Sequence, residues 1–121
     1  MAIATEVQQA LTETYPISAE QIERYQSNGY IKLKHVLSAE TLAYYGREIT
    51  RKVKELNSEH LPIEERDLYH RAFLQVENLW ESSDVVREFI SSPKLGRIAA
   101  QLMCTTGVRI YHDQALYKEA G

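Results

Sequence analysis

The amino-acid sequence predicts a single α+β domain, and three of its features lead to this prediction. Apolar residues recur at helical spacing after serines that are well placed to cap a helix. Two or three shorter segments alternate between residue classes with the period of a β-strand. The chain has 121 residues, and a domain of this length buries roughly 65% of the surface that its unfolded chain exposes. One domain with its own core is therefore expected.

Ser18 begins the first helix that the sequence predicts. Ser18 and Gln21 have the spacing of a capping box, in which each residue satisfies a backbone N–H at the helix start. The helix should run from residue 19 to about residue 27 and end at Asn28-Gly29, because both of these residues tolerate a positive φ angle. Residues 1–16, which precede this helix, are predicted to be an N-terminal extension.

A second helix is predicted after Ser38. Residues 30–36 alternate in side-chain class and predict a strand that leads to this helix. The helix should extend to about residue 56, because its apolar residues fall on one stripe, formed by Leu42, Tyr45, Ile49, Val53 and Leu56. Charged side chains occupy the opposite face and indicate a surface in contact with water.

The second half of the chain predicts two short helices and one or two strands. Ser83 begins one helix, and Ser92-Pro93 begins the other, since proline is favoured at the first helical position. Residues 69–76 alternate weakly and predict a strand. Residues 108–118 alternate over their whole length and predict the clearest strand of the chain.

One face of the strand predicted over residues 108–118 combines apolar and polar groups: Val108, Ile110, His112, Gln114, Leu116 and Lys118. Polar groups that project together from an apolar face are typical of a lined pocket. A lysine ammonium supplies charge and an amide fixes orientation, so Lys118 and Gln114 are suited to hold a small carboxylate. The same alternation fits an edge strand whose polar face contacts water, and the pattern alone leaves both interpretations open.

Composition and charge argue against several classes of protein. Fourteen Lys and Arg stand against seventeen Asp and Glu, which gives a net charge of −3. No basic stripe is evident for a phosphate backbone, which argues against nucleic-acid binding, including a helix-turn-helix built from the helices after Ser83 and Ser92. A single cysteine, Cys104, excludes an internal disulfide. No apolar run approaches the roughly 20 residues of a membrane span, and we expect no membrane association and a cytoplasmic location.

Six segments of the chain, in the same order and with plausible spacing, resemble a known family. They are Ser18-Ala-Glu-Gln-Ile-Glu-Arg-Tyr, Asn28-Gly-Tyr-Ile-Lys-Leu, Val36-Leu-Ser-Ala-Glu, Phe73-Leu-Gln-Val-Glu-Asn-Leu-Trp80, Ser92-Pro-Lys-Leu and Gly107-Val-Arg-Ile-Tyr-His-Asp-Gln-Ala-Leu-Tyr-Lys-Glu119. Together they are similar to the N-terminal half of the phytanoyl-CoA dioxygenase family. The closing segment and the segment that ends at Trp80 are the more specific of the six.

The resemblance implies a fold, a reaction and several site residues. It implies an iron(II)- and 2-oxoglutarate-dependent oxygenase, with N-terminal helices packed on the first strands of a double-stranded β-helix, or jelly roll. The complete enzyme would hydroxylate a small organic substrate with oxygen and release succinate and carbon dioxide from 2-oxoglutarate. The resemblance further implies that Lys118, Gln114 and Gln75 lie beside the 2-oxoglutarate and that His112 reaches the substrate.

The iron-binding motif of this family is absent from the sequence. Such enzymes hold iron with His-x-Asp and a distal histidine, and none of the four histidines here has an acid at that spacing. His112 is followed directly by Asp113, and neighbouring residues of a strand point to opposite faces. We therefore expect residues 17–121 to be the N-terminal part of such a domain, a fragment cut before its metal motif. The fragment should have an incomplete barrel, no metal ligands and no catalytic residues, bind neither iron nor 2-oxoglutarate tightly, and be inactive alone.

A second class of function is a non-catalytic helical interaction module, or a subunit that completes a partner. The amphipathic helices would lose the sheet that covers their apolar stripes if the barrel is incomplete. Exposed apolar surface of that kind drives association. The second hypothesis therefore predicts self-association through exposed apolar faces.

Overall fold

A computed structural model describes residues 2–57 and 61–118 of the chain. They form an α+β fold in which helices precede and separate two short strands. The helices are α1 (Ala2–Ala10), α2 (Ala19–Asn28), α3 (Ala39–Leu56), α4 (Leu68–Ala72), α5 (Asp84–Ile90) and α6 (Pro93–Met103). The strands are β1 (Leu74–Glu77) and β2 (Gln114–Tyr117), and short 3₁₀ helices cover Ile63–Glu65 and Leu79–Glu81. The predicted α+β class is confirmed.

Serine caps begin four of the helices, as the sequence predicts. Ser18, Ser38, Ser83 and Ser92 each accept a hydrogen bond of 3.1 to 3.3 Å from a backbone N–H in the first turn of α2, α3, α5 and α6. At α2 the capping box is complete, because the side chain of Gln21 in turn accepts from the backbone N–H of Ser18 at 2.8 Å. Helix α2 ends at Gly29, whose φ of 79° suits glycine.

The central helix α3 lies between two parts of the core. On one side, Val53 is buried with Val76, Leu79, Val86 and Ala115, which come from β1, a 3₁₀ helix, α5 and β2. On the other side, Tyr45 is buried against Val7 and Leu11. The middle of the apolar stripe predicted for α3 is thus covered, whereas its two ends, Leu42 (53%) and Leu56 (41%), are exposed.

Helix α1 lies within the segment that the sequence predicts to be an extension. Val7 and Leu11 are each only 3% exposed and pack against Tyr45. The chain after α1 is tied to the start of α6, since the carbonyl of Leu11 accepts hydrogen bonds from the Ser92 hydroxyl (2.7 Å) and from the backbone N–H of Lys94 (2.9 Å). Residues 7–11 therefore contribute to the core.

Strands β1 and β2 pair antiparallel and form a two-stranded sheet. In the register, Leu74 faces Tyr117, Gln75 faces Leu116, Val76 faces Ala115 and Glu77 faces Gln114. Val76 and Ala115 are buried beneath the sheet in the cluster that contains Val53. The Tyr117 and Thr50 hydroxyls lie 2.9 Å apart and join β2 to α3. One face of the sheet thus packs on helices, and the other carries Gln75, Glu77, Gln114 and Leu116.

The strand predicted over residues 30–36 is wrong. No residue of this segment pairs with a strand in the described part of the chain, and His35 has a φ of 56°, which interrupts an extended backbone. The carbonyl of Lys34 accepts a hydrogen bond of 2.7 Å from the Tyr15 hydroxyl. Alternation shows which side chains share a side of a segment, but it does not show whether a second strand lies beside it to form hydrogen bonds. Residues 30–36 lack such a neighbour among the described residues.

The other two predicted strands are shorter in the structure. Residues 68–72 form α4 instead of the start of a strand, because the Asp67 side chain caps the helix by accepting from the backbone N–H of His70 at 2.9 Å. Of residues 108–118, only Gln114–Tyr117 are a strand. Since β1 offers four residues for pairing, residues 108–113 have no ladder to join among the described residues.

The described strands form one open two-stranded sheet rather than a closed barrel. No helix in residues 2–57 and 61–118 has the length and apolar character needed to cross a lipid bilayer. Glu119, the last residue of the closing motif, lies outside the described residues.

Candidate functional site

The sheet brings together Gln75 and Gln114, two residues predicted to lie beside 2-oxoglutarate. Gln75 faces Leu116 across the ladder and Gln114 faces Glu77, so both glutamines project from the face opposite the helices. Diagonal neighbours of this kind lie roughly 7–8 Å apart. Lys118 directly follows β2, and the alternation of the strand continues to the same side. Gln114 and Lys118 are exposed.

The polar groups of these residues differ in their hydrogen bonding: those of Gln75 have partners, and those of Gln114 and Lys118 have none among the described residues. The Gln75 amide is engaged on both sides, because its Oε1 accepts a hydrogen bond from the Tyr69 hydroxyl and its Nε2 donates to Glu77 Oε1 at 2.8 Å. Within the described residues, the side chains of Gln114 and Lys118 have no hydrogen-bond or ion-pair partner. As far as the described residues go, these two groups could contact a ligand without breaking an existing bond.

A cleft of about 310 Å³ lies next to β1. It is lined by Asn57, Tyr69, His70, Phe73, Leu74, Gln75 and Glu77. Of the residues that sequence reasoning singled out, only Gln75 lines it. Sequence reasoning missed Tyr69 and Glu77, although Glu77 follows Gln75 at the two-residue spacing that places both on one face of a strand.

Helix α4 positions the aromatic side of this cleft. Its cap, Asp67, accepts from the backbone N–H of His70 and lies 2.7 Å from Nδ1 of the same residue. These two hydrogen bonds hold the pKa of the Asp67 carboxyl below its usual value, and the bond from the backbone N–H has the larger effect. The short helix then presents Tyr69, whose ring centroid lies 5.8 Å from that of Phe73.

His112, predicted to reach the substrate, lies apart from this cleft. It precedes β2, is exposed, and packs its ring against that of Tyr111 at a centroid distance of 5.0 Å. His112 is not among the described residues that line the cleft, and within the described part of the chain no hydrogen bond joins it to Gln75. Its substrate role stays a prediction.

Asp113 has a structural function that sequence reasoning missed. Its carboxylate oxygens accept hydrogen bonds from the backbone N–H groups of Leu79 (2.9 Å) and Trp80 (3.0 Å). Its carbonyl accepts from the backbone N–H of Asn78 at 3.0 Å. No local pattern could reveal these bonds, because the partners lie more than thirty positions away along the chain.

The residues that the structure describes do not fit an iron ion. Across residues 2–57 and 61–118, no three His, Cys, Asp or Glu side chains are grouped closely enough to hold a metal. The carboxylate of Asp113 is turned to the backbone of residues 79 and 80, so it is not shared with the neighbouring His112. No step of a reaction is therefore assigned to a metal on these residues.

Comparison with known proteins adds no relative. No family model matches the chain, and neither curated proteins nor solved structures show a match.

Proposed function

We propose that this chain supplies the 2-oxoglutarate-binding face of an iron(II)-dependent oxygenase of the phytanoyl-CoA dioxygenase type, on a jelly-roll fold, and does not hydroxylate a substrate alone. The proposal rests on the six resembling segments and on one structural observation. Gln75 and Gln114 belong to separate segments of the resemblance, yet they share one face of one sheet. In a jelly roll, the face opposite the helices lines the interior of the barrel, where a ligand is bound.

The arrangement along β2 suits a molecule with a carboxylate at each end. Lys118 and Gln114 are four positions apart, which on a strand is about 13 Å, and both side chains are long enough to lean toward each other. Leu116 lies between them on the same face and is 49% exposed. The Lys118 ammonium would pair with one carboxylate, Leu116 would contact the methylene carbons, and the Gln114 amide would donate to the oxygens at the other end.

Titration of the ¹⁵N-labelled chain with 2-oxoglutarate tests the proposal. We expect weak, saturable shifts of the backbone amides of residues 114–118. Lys118→Met should weaken binding by about tenfold, because it removes a charge-assisted hydrogen bond. Lys54→Met, which removes an exposed lysine at the end of α3, is the matched control and should bind as the parent does. The absence of saturable shifts, or equal binding by both variants, would overturn the proposal.

A turnover assay tests the second half of the proposal. The chain is incubated with iron(II), ascorbate and 2-oxoglutarate, and succinate is measured. Because the sequence lacks the His-x-Asp motif, we expect no succinate above the protein-free control. Succinate release that depends on the chain would refute the proposal that it is inactive alone.

A second candidate function, a self-associating subunit, is favoured by a different observation. The middle of the apolar stripe of α3 is covered, but its two ends and apolar side chains near β2 are exposed, including Tyr111 at 94% and Ile110 at 54%. Surface of this kind is typical of a protein–protein contact. Sedimentation across a concentration series distinguishes the two candidates, since a monodisperse monomer throughout would contradict a self-associating subunit.

A further inference from the structure

The cleft beside β1 combines aromatic rings with one carboxylate. Tyr69, Phe73 and His70 supply the rings, and Glu77 supplies the carboxylate. None of the described residues that line it is a lysine or an arginine. The ring of His70 lies beside a further carboxylate, that of Asp67, with Nδ1 2.7 Å from Oδ2. The cleft therefore favours a positively charged ligand.

A chain of hydrogen bonds orients the carboxylate. The Tyr69 hydroxyl donates to Gln75 Oε1, and Gln75 Nε2 donates to Glu77 Oε1 at 2.8 Å. The second carboxylate oxygen, Oε2, has no hydrogen-bond partner among the described residues. One carboxylate oxygen of Glu77 is thus hydrogen-bonded, and the other could contact a ligand without losing a bond to a described residue. In this arrangement Gln75 positions Glu77 and need not contact a ligand itself.

The rings form a corner rather than a flat wall. The Tyr69 and Phe73 planes are inclined by 52° with centroids 5.8 Å apart, and His70 lies edge-on to Tyr69 at 5.5 Å. A cation within about 6 Å of a ring centroid is attracted to the negative face of the ring. Two inclined faces and one carboxylate are the groups that recognise an alkylated ammonium, whose charge is spread over apolar carbon.

We infer that this cleft binds the alkylammonium group of a small organic cation, with Glu77 as its counter-charge and Tyr69 and Phe73 as its aromatic walls. A volume of about 310 Å³ lies at the lower end of the range for small-molecule sites. Lys118 and Gln114 do not line the cleft, although Gln114 faces Glu77 across the sheet, and the site is tested without iron or 2-oxoglutarate.

The experiment is a titration of the ¹⁵N-labelled chain with tetramethylammonium chloride, at constant ionic strength adjusted with sodium chloride. tert-Butanol, which has a similar size and no charge, is titrated in parallel. We expect saturable shifts of the backbone amides of residues 69–77 with tetramethylammonium and none with tert-butanol. Equal shifts with both probes, or no saturation with tetramethylammonium, would overturn the inference.

Two pairs of variants separate the charge of Glu77 from other effects. Glu77→Gln should weaken binding by about fivefold, the value of a partly exposed ion pair. Glu81→Gln removes the same charge from an exposed residue outside the cleft and should bind as the parent does. Tyr69→Ala should weaken binding by a similar factor through the lost ring, whereas Tyr30→Ala, which removes an exposed ring outside the cleft, should leave it unchanged. Parent-like binding by Glu77→Gln would show that the carboxylate is not the counter-charge, and the inference would fail.

Discussion

The Asp113 carboxylate accepts a hydrogen bond of 2.9 Å from the backbone N–H of Leu79. Its other oxygen accepts from the next backbone N–H, that of Trp80, at 3.0 Å. One side chain thus satisfies two of the donors that a helix start leaves without a partner. These two hydrogen bonds also join the residue just before β2 to the turn just after β1. They therefore hold together one end of the two-stranded sheet whose outer face carries Gln75 and Gln114.

Replacement of Asp113 by asparagine should destabilise the fold. The amide keeps one acceptor oxygen, but its NH₂ group then faces a backbone N–H that has lost its acceptor. We expect the free energy of unfolding to fall by about 1–3 kcal/mol, the cost of an unsatisfied, partly buried donor. Urea unfolding followed by circular dichroism measures the change. Asp84→Asn, which alters a 96% exposed carboxylate, is the control, and equal midpoints for the two variants would contradict the assigned cap.

Ser83 has two roles at the start of α5, and its loss should affect both. Its Oγ accepts from the backbone N–H of Val86 at 3.2 Å and donates to Glu48 Oε1 at 2.8 Å. Ser83→Ala removes the cap and the link to α3, so we expect a loss of about 1–2 kcal/mol in urea unfolding. Ser27→Ala, at an exposed position in the last turn of α2, should change stability by less than about 0.5 kcal/mol. If Ser83→Ala loses no more than about 0.5 kcal/mol, the same limit as the control, the cap does not contribute to stability.

Local sequence predicts the starts of these helices well, because a cap and its partner lie within one turn of each other. The bond from Gln21 to Ser18 spans three residues, and so does each serine cap. The partners of a strand are set by distant residues instead. Residues 30–36 and 108–113 alternate as strands do, yet in the described part of the chain only the residues opposite β1 form a ladder.

The residues of the candidate site also fall into two groups, those that the sequence predicts and those that only the structure reveals. Alternation places Gln114 and Lys118 on one side of a strand, and the structure agrees for Gln114 and Leu116. Glu77 follows Gln75 at the spacing that places both on one face of a strand, so the sequence could have indicated it. Tyr69 could not be selected, because it meets this face only where the short helix α4 lies beside β1. Helix α4 begins at the cap formed by Asp67. The sequence does not predict this helix, because residues 69–76 alternate weakly as a strand does.

Stability should depend on pH through Glu48. Hydrogen bonds from Arg51 and then from Ser83 lower the pKa of the Glu48 carboxyl from 4.5 to about 2. Since the folded pKa lies below the unfolded value, the stabilisation is fully present above pH 4.5 and is lost as the pH falls toward 2. Urea midpoints measured across this window should fall for the parent chain. Glu48→Gln, which cannot ionise, should be less stable at neutral pH and show a shallower fall, and parallel profiles would contradict this assignment.

Residues 7–11, which form the end of α1 and the turn after it, should be required for the stability of the whole fold, although the sequence predicts an extension there. Leu11 is 3% exposed and packs with Val7 on Tyr45, which is 1% exposed. Leu11→Ala leaves a cavity beside the buried tyrosine ring, and we expect a loss of about 2–4 kcal/mol in urea unfolding. Leu68→Ala makes the same chemical change at a position that is 85% exposed and should alter stability by less than about 0.5 kcal/mol. If both variants unfold at the parent's midpoint, residues 7–11 do not contribute to the cooperative unit. A selective loss for Leu11→Ala extends that unit to this segment.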